Sequence, residues 1–251
     1  MNLKGNTVLI TGGSLGIGLE LAKEFLKLGN EVIICGRRND CLDQARKKFP
    51  DLKTFVCDVS DSKSRKNLFE WVSINFKELN ILVNNAGVQR DIDFTNRIDE
   101  YLDGENEILI NFEAPVVLSG MFIPLLKGKK DAAIINVTSG LGFVPAAIMP
   151  VYGATKAALH SFSMALRYQL IKTNIKIFEA IPPALDTELN KQGRTKRKQF
   201  SFESSVPGFI STLMNALQND IYEIGYGYSE NFRNASREDL DKNFQIMNSR
   251  M

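Results

Sequence analysis

Short apolar runs alternate with helical-period segments along most of the chain. Residues 7–10 form a β-branched run closed by glycines. Residues 19–28 then repeat at helical spacing, with Leu21, Phe25 and Leu28 on one face and Lys23, Glu24 and Lys27 elsewhere. Gly29 and Asn30 end that helix, and 31–35 reads as a second buried strand. The theme repeats as helix 40–49, strand 54–57, helix 62–76 and strand 80–83. A long helical stretch follows at 105–126, where Pro115 and Pro124 should bend the helix or shift its ends. Strand 132–137, helix 151–171 and strand 175–181 complete the regular part. At 186–205 the pattern fails, and Lys191, Arg194, Lys196, Arg197 and Lys198 crowd a stretch with few apolar residues. Helix 206–217, a last strand at 222–224 and a terminal helix at 237–247 follow.

Strands this continuously apolar are buried on both faces, which indicates a parallel sheet covered by helices. The expectation is one doubly wound α/β domain over 1–251, with about seven parallel strands and helices on both faces. The segment 186–205 would be a mobile surface stretch. Its positive charge leaves two readings, a solvated loop or a lid closing over an anionic substrate.

Composition narrows the chemistry. The 251 residues carry 31 Lys+Arg against 29 Asp+Glu, a net charge of +2, which is no footprint for bulk nucleic-acid binding. Three cysteines argue against a disulfide framework and for a reducing, cytoplasmic compartment. The apolar run at 8–10 is too short for a signal-peptide core, and the stretch 114–126 falls short of a membrane span. His160 is the single histidine, so no site needing two or three histidine ligands can form, and no metal site is expected. Proton chemistry would have to use something other than imidazole. His160 itself, two turns beyond Tyr152, is expected as a packed or interfacial residue, and Cys35, Cys41 and Cys57 as core thiols.

The turn Thr11-Gly12-Gly13-Ser14-Leu15-Gly16-Ile17-Gly18 lies between the first strand and first helix. Glycines there allow a tight turn and let backbone N–H groups approach a pyrophosphate at a helix N-terminus. An acidic residue at the end of the second strand would favour NAD; this chain has Gly36-Arg37-Arg38 instead. With no carboxylate to repel it, a ribose 2′-phosphate can pair with the guanidiniums, so NADP(H) is expected in preference to NAD(H).

Tyr152 and Lys156, four residues apart, share one helix face. A phenol is a poor acid–base at neutral pH unless a cation stabilises its phenolate, and Lys156 would supply one. Ser139, thirteen residues earlier and just past a strand, offers a hydroxyl to hold a carbonyl.

With these motifs in this order, the chain resembles the short-chain dehydrogenase/reductase family, most firmly over 7–187. Its glycine motif matches Thr11, Gly12, Gly16 and Gly18, its adenine-side acid Asp58 beside Val59, and its N-N-A-G segment Asn84, Asn85, Ala86 and Gly87. The resemblance implies a Rossmann fold and hydride transfer between a nicotinamide and a carbonyl/alcohol substrate. Asn111, Ser139, Tyr152 and Lys156 would be the catalytic set: Tyr152 the acid–base, Lys156 on the nicotinamide ribose, Ser139 on the carbonyl, and Asn111 holding a water that links Lys156 to solvent. The cofactor set becomes Gly12, Ser14, Gly16, Ile17, Gly18, Arg37, Arg38, Asp58, Val59, Asn85, Ala86, Gly87, Tyr152, Lys156, Pro182 and Thr187.

Two departures stand out. Pro182-Pro183-Ala184 replaces the family's Pro-Gly step, which weakens the expected contact of Thr187, and the usual C-terminal T-G…D-G-G ending is missing. The expected assembly is therefore a homo-oligomer, a dimer in preference to a tetramer. The stretches 30–38, 55–61, 79–93 and 234–248 look like the DltE group of the family, named for an association with teichoic-acid D-alanylation genes. A non-catalytic NADP-binding redox sensor or scaffold is the alternative, disfavoured by the intact catalytic set.

Overall fold

The computed structural model describes residues 1–95, 99–102, 104–196 and 204–249. Its seven strands are β1 (Thr7–Thr11), β2 (Glu31–Gly36), β3 (Lys53–Val56), β4 (Leu79–Asn84), β5 (Ala133–Val137), β6 (Lys176–Ile181) and β7 (Glu223–Gly225). All pair in parallel, in the order β3-β2-β1-β4-β5-β6-β7. The winding direction reverses between β1 and β4, and a crevice opens outside the carboxyl ends of strands at such a switch point.

Side chains alternate between two apolar layers along each central strand, which is why those strands read as unbroken apolar runs. Val8 and Ile10 of β1, with Ile81 and Val83 of β4, face α1 (Gly16–Lys27) and α8 (Val206–Gln218), joining Phe25, Phe178 and Phe209. Leu9 and Leu82 face the other way, toward α3 (Ser62–Asn75) and α5 (Ala114–Leu126), joining Leu68, Val72 and Phe122. Four further helices, α2 (Asn39–Lys48), α6 (Pro150–Gln169), α9 (Tyr228–Asn234) and α10 (Arg237–Asn248), and two short ones, α4 (Asp99–Leu102) and α7 (Lys191–Lys196), complete the order.

The expected helix at 105–126 is interrupted. Residues Leu109–Glu113 form a π turn and α5 begins at Ala114, with Pro115 in its first turn. Pro115 has no N–H to return to the carbonyl of Asn111, so a regular α register cannot run through this point. The run Leu109–Leu126 is long and apolar enough to pass for a membrane span by length and composition. Leu118, Ser119, Phe122 and Leu126 are buried in the protein core, however, and the helix serves as a core element. The last strand sits one residue later than expected, and α9 follows it where no helix was expected. The basic segment carries α7 at its described end, while Arg197 and Lys198 lie outside the described residues.

His160 is packed as expected, against Phe143 with ring centroids 4.7 Å apart, and it is also paired. Its Nδ1 lies 2.8 Å from Oε2 of Glu179, a fully buried side chain whose Oε1 accepts the Thr138 hydroxyl at 2.7 Å. Arg167 and Glu223 face the same ring from α6 and β7. The bond to Glu179 raises the His160 pKa above its ordinary 6.5, outweighing partial burial. The pair therefore stabilises the fold fully below the unfolded value and loses that contribution as pH rises through the folded one. His160→Gln should cost about 1–2 kcal/mol near pH 6. In thermal melts the gap to wild type should close as pH climbs; a gap constant or widening with pH would contradict the pairing.

Candidate active site

At the switch point, the glycine turn is shaped by what surrounds it. Gly12 (φ +63°) lies where a Cβ would meet Ala86 Cα at 2.8 Å, and a Cβ on Gly18 would meet both Asn85 Nδ2 and Gly12 O at 2.5 Å. Gly13, outside the expected set, is equally constrained, because Ile34 of β2 would stand 2.5 Å from its Cβ. Thr11 Oγ1 accepts the N–H of both Asn85 and Ala86 at 3.0 Å, and the Asn85 amide donates back to the carbonyls of Thr11 (2.9 Å) and Gly12 (3.1 Å). The Asn85 side chain is thus a fastener for the turn, and Ala86 and Gly87 supply the backbone that borders the cleft. The first turn of α1 has no side-chain cap at Leu15. Its unpaired N–H groups, with Ser14, Gly16 and Ile17 on the wall, form the anion seat that a pyrophosphate requires. The glycine cradle and the uncapped helix start both fit a dinucleotide.

The cleft has a volume of about 1620 Å³, larger than the usual 300–1,000 Å³ of a single-ligand pocket. Its far end is lined by Gly36, Arg37, Arg38, Asp58 and Val59. Asp58 is turned toward Ser60, accepting its N–H at 2.9 Å and its hydroxyl at 2.6 Å. Arg37 forms an ion pair with Glu105, which reaches over from the segment after β4. On the opposite wall stand Pro182, Pro183 and Thr187, with the Thr187 side chain 3.3 Å from the Cβ position of Gly16. Thr187 therefore stays close to the turn despite Pro183.

Ser139, Tyr152 and Lys156 converge in the middle of the cleft. Ser139, two residues past β5, caps the short 3₁₀ turn Gly140–Gly142, its Oγ accepting the Leu141 N–H at 3.2 Å. Tyr152 lies in the first turn of α6, 5% exposed, with Ser139 near enough to act on its phenol. Burial pushes the phenol well above its ordinary pKa, more than Ser139 pulls it down. Lys156 Nζ sits 5.6 Å from the Tyr152 ring centroid and donates to the Val137 carbonyl at 2.8 Å. Burial lowers its pKa to about 8, which still leaves the ammonium charged at neutral pH.

Asn111, in the π turn, accepts the Val88 N–H at 2.8 Å and donates to the Val88 carbonyl (2.8 Å) and Thr155 Oγ1 (3.2 Å). Its amide is committed to bracing the wall and the start of α6. Gly87 passes beside it, where a Cβ would stand in ordinary contact, 3.4 Å from Asn111 Oδ1 and 3.6 Å from Lys156 Nζ.

Two participants escaped the sequence reading. Glu107, fully buried, accepts the Arg90 N–H at 3.1 Å; desolvation, opposed by that bond, raises its carboxyl to about 7. The signal was available: Glu107 lies one turn before Asn111 and grips the same extended segment two residues further on. Tyr228, at the start of α9, lines the cleft and accepts the Ala184 N–H at 2.5 Å. No motif marks it, because it lies where the chain departs from the family ending.

Comparison with known proteins agrees with this geometry. A family model for short chain dehydrogenases matches residues 6–198. The "uncharacterized oxidoreductase DltE" of Bacillus subtilis (strain 168) is 48% identical over 250 residues, covering 99% of each chain. A tropinone reductase homolog of Datura stramonium is 34% identical over 193 residues, 75% of this chain and 71% of that one. Among solved structures, a Burkholderia phymatum short-chain dehydrogenase/reductase in complex with NAD superposes with a TM-score of 0.83 at 18% identity, covering 97% of this chain and 96% of that one. A Burkholderia cenocepacia short-chain dehydrogenase in complex with NADP gives 0.82 at 22%, covering 97% and 99%. These two share the fold and differ in cofactor. The Rossmann sheet, the family match and the full-length likeness to DltE together establish that this chain belongs to the short-chain dehydrogenase/reductase family and is an oxidoreductase of the DltE type.

Proposed function

We propose that the protein is an NADP(H)-dependent reductase or dehydrogenase acting on a carbonyl/alcohol pair, with Tyr152 as its acid–base. The observation that carries this reading is the buried Tyr152 phenol, lining one cleft with Ser139, with the Lys156 ammonium one turn beyond it. A bound nicotinamide would supply or receive the hydride; Lys156 and Tyr152 are the residues to hold its ribose, and Gly12 to Gly18 its pyrophosphate. Ser139 holds the substrate oxygen by its hydroxyl. Tyr152, kept protonated by burial, gives its proton to that oxygen in reduction and takes it back in oxidation. Lys156 stabilises the phenolate left behind, its charge undiminished by solvent in the buried site. Since the Asn111 amide is spent on Val88 and Thr155, a water linking Lys156 to solvent would rest on its backbone carbonyl, to which Pro115 offers no N–H.

Arg37 and Arg38, with no carboxylate at Gly36, support NADP over NAD. The substrate end of the cleft is walled by Leu141, Ala146, Ile148, Met149, Tyr228 and Met247, which suits an apolar carbonyl compound. The segment 186–196 covers it as a lid, anchored by the Asn190 amide on Asp91 at 2.7 Å. Met164, Tyr168 and Ile171, exposed along one flank of α6 and the turn after it, support a homodimer, and the free thiols of Cys35, Cys41 and Cys57 support a cytoplasmic setting. The sensor or scaffold alternative gives no reason for a buried Tyr–Lys pair, and the link to teichoic-acid D-alanylation rests on the DltE likeness alone.

Two substitutions test this function. Tyr152→Phe should weaken NADPH by no more than about tenfold, the size of one ribose hydrogen bond, while cutting carbonyl reduction by a factor of at least about 100, the scale of a lost general acid; retained turnover refutes the role. Gly36→Asp combined with Arg37→Ala should invert the kcat/KM preference from NADPH toward NADH. A Cβ at 36 stands 3.4 Å from Ser14 Oγ, so the aspartate can be accommodated. An unchanged NADPH preference overturns the cofactor assignment.

A further inference from the structure

The Arg37 guanidinium, proposed above to receive a 2′-phosphate, already has an anionic partner. Glu105 reaches it from the far side of the cleft, and both side chains line the same cavity. The neighbouring arginine is in a similar position: Glu188, bound to Lys191 at 2.9 Å, lies in the field of Arg38. Each arginine at the adenosine end thus faces a carboxylate from a different segment bordering the cleft, Glu105 after β4 and Glu188 after β6.

We propose that Glu105 is a specificity-determining residue, an intramolecular carboxylate that occupies Arg37 in the absence of cofactor and must yield it to the 2′-phosphate of an incoming NADP(H). The inference rests on the NADP reading above. Three features make the exchange feasible. The pair is half-exposed, 43% for Arg37 and 46% for Glu105, so solvent screens it and it is readily opened. A phosphate carries up to two charges and three acceptor oxygens, and it pairs bidentately with a guanidinium, so it outcompetes one carboxylate. Cofactor lacking the 2′-phosphate has nothing to displace Glu105 with, so the pair costs NADP(H) some affinity and leaves NAD(H) untouched.

Glu105 is also tied to Arg90, which lines the same cleft. Its backbone carbonyl accepts from Arg90 Nη1 at 3.3 Å, the same side chain donates to the Tyr101 carbonyl at 3.0 Å, and the Arg90 N–H is held by Glu107.

Calorimetric titration with adenosine 2′,5′-bisphosphate and adenosine 5′-monophosphate tests this without any substrate. Glu105→Gln should tighten the bisphosphate about two- to fivefold, the size of an exposed ion pair, and leave the monophosphate unchanged. The gain should vanish in an Arg37→Ala background and shrink as salt is raised. If Glu105→Gln leaves bisphosphate affinity unchanged or weakens it while Arg37→Ala loosens binding, the competition is overturned and the NADP reading stands. If Arg37→Ala leaves the preference for bisphosphate over monophosphate intact, the NADP reading and the competition fail together.

Discussion

The cleft depends on one junction, the fastening of the β1 turn to the end of β4. Two parallel strands whose connections depart in opposite directions leave a gap at their carboxyl ends, and nothing in the sheet itself fixes its width. Here Thr11 Oγ1 accepts two N–H groups from the β4 segment, and the Asn85 amide returns two bonds to the turn. Gly12, Gly13 and Gly18 keep that contact free of side chains. From this junction the chain runs through Ala86 and Gly87 to Val88, where Asn111 takes hold, and Asn111 in turn meets Thr155 on the helix that carries Tyr152 and Lys156. The anion seat and the acid–base pair are therefore referenced to the same few hydrogen bonds.

Charge in the site follows from burial. Among the described residues Lys156 has no acidic partner beside it; it is held by a neutral carbonyl and stays charged at neutral pH although its pKa falls to about 8. An isolated ammonium in a poorly solvated place is a strong electrostatic neighbour for a phenol. His160 serves elsewhere, paired with Glu179 beneath the β5 end, where Thr138, the residue next to Ser139, donates its hydroxyl to Glu179. On the proposed mechanism, with its single histidine engaged there, the chain leaves acid–base work to the tyrosine.

Much of this was legible before any coordinates. Strands buried on both faces announce themselves as unbroken apolar runs, so β1, β2, β4, β5 and β6 and their parallel pairing followed from residues such as Val8, Leu9 and Ile10. Motif spacing brought Ser139, Tyr152 and Lys156 together because each sits at a fixed offset from a strand end or helix start. What was illegible depends on contacts between distant segments. Pro115 signalled an irregularity, but its form as a π turn under Asn111 is set by packing. Asn85 lines the cleft, as its place in the motif implies, but that its amide also fastens the glycine turn is seen only in three dimensions. Glu105 and Arg37 are 68 positions apart in number, and no local pattern pairs them. Tyr228 belongs to a C-terminal region whose sequence follows no family motif.

The central claim is that one buried phenol, tuned by Lys156, is the ionising group of the reaction. Its most direct measurement is an ultraviolet titration of phenolate absorbance in the NADP⁺ complex, comparing wild type with Tyr152→Phe. Burial holds this phenol above its ordinary value of about 10 in the free protein, and the cations of Lys156 and of a bound nicotinamide should together bring it below that value in the complex, giving wild type a phenolate step that the variant lacks. Superimposable titrations of the two proteins below that pH would contradict the claim.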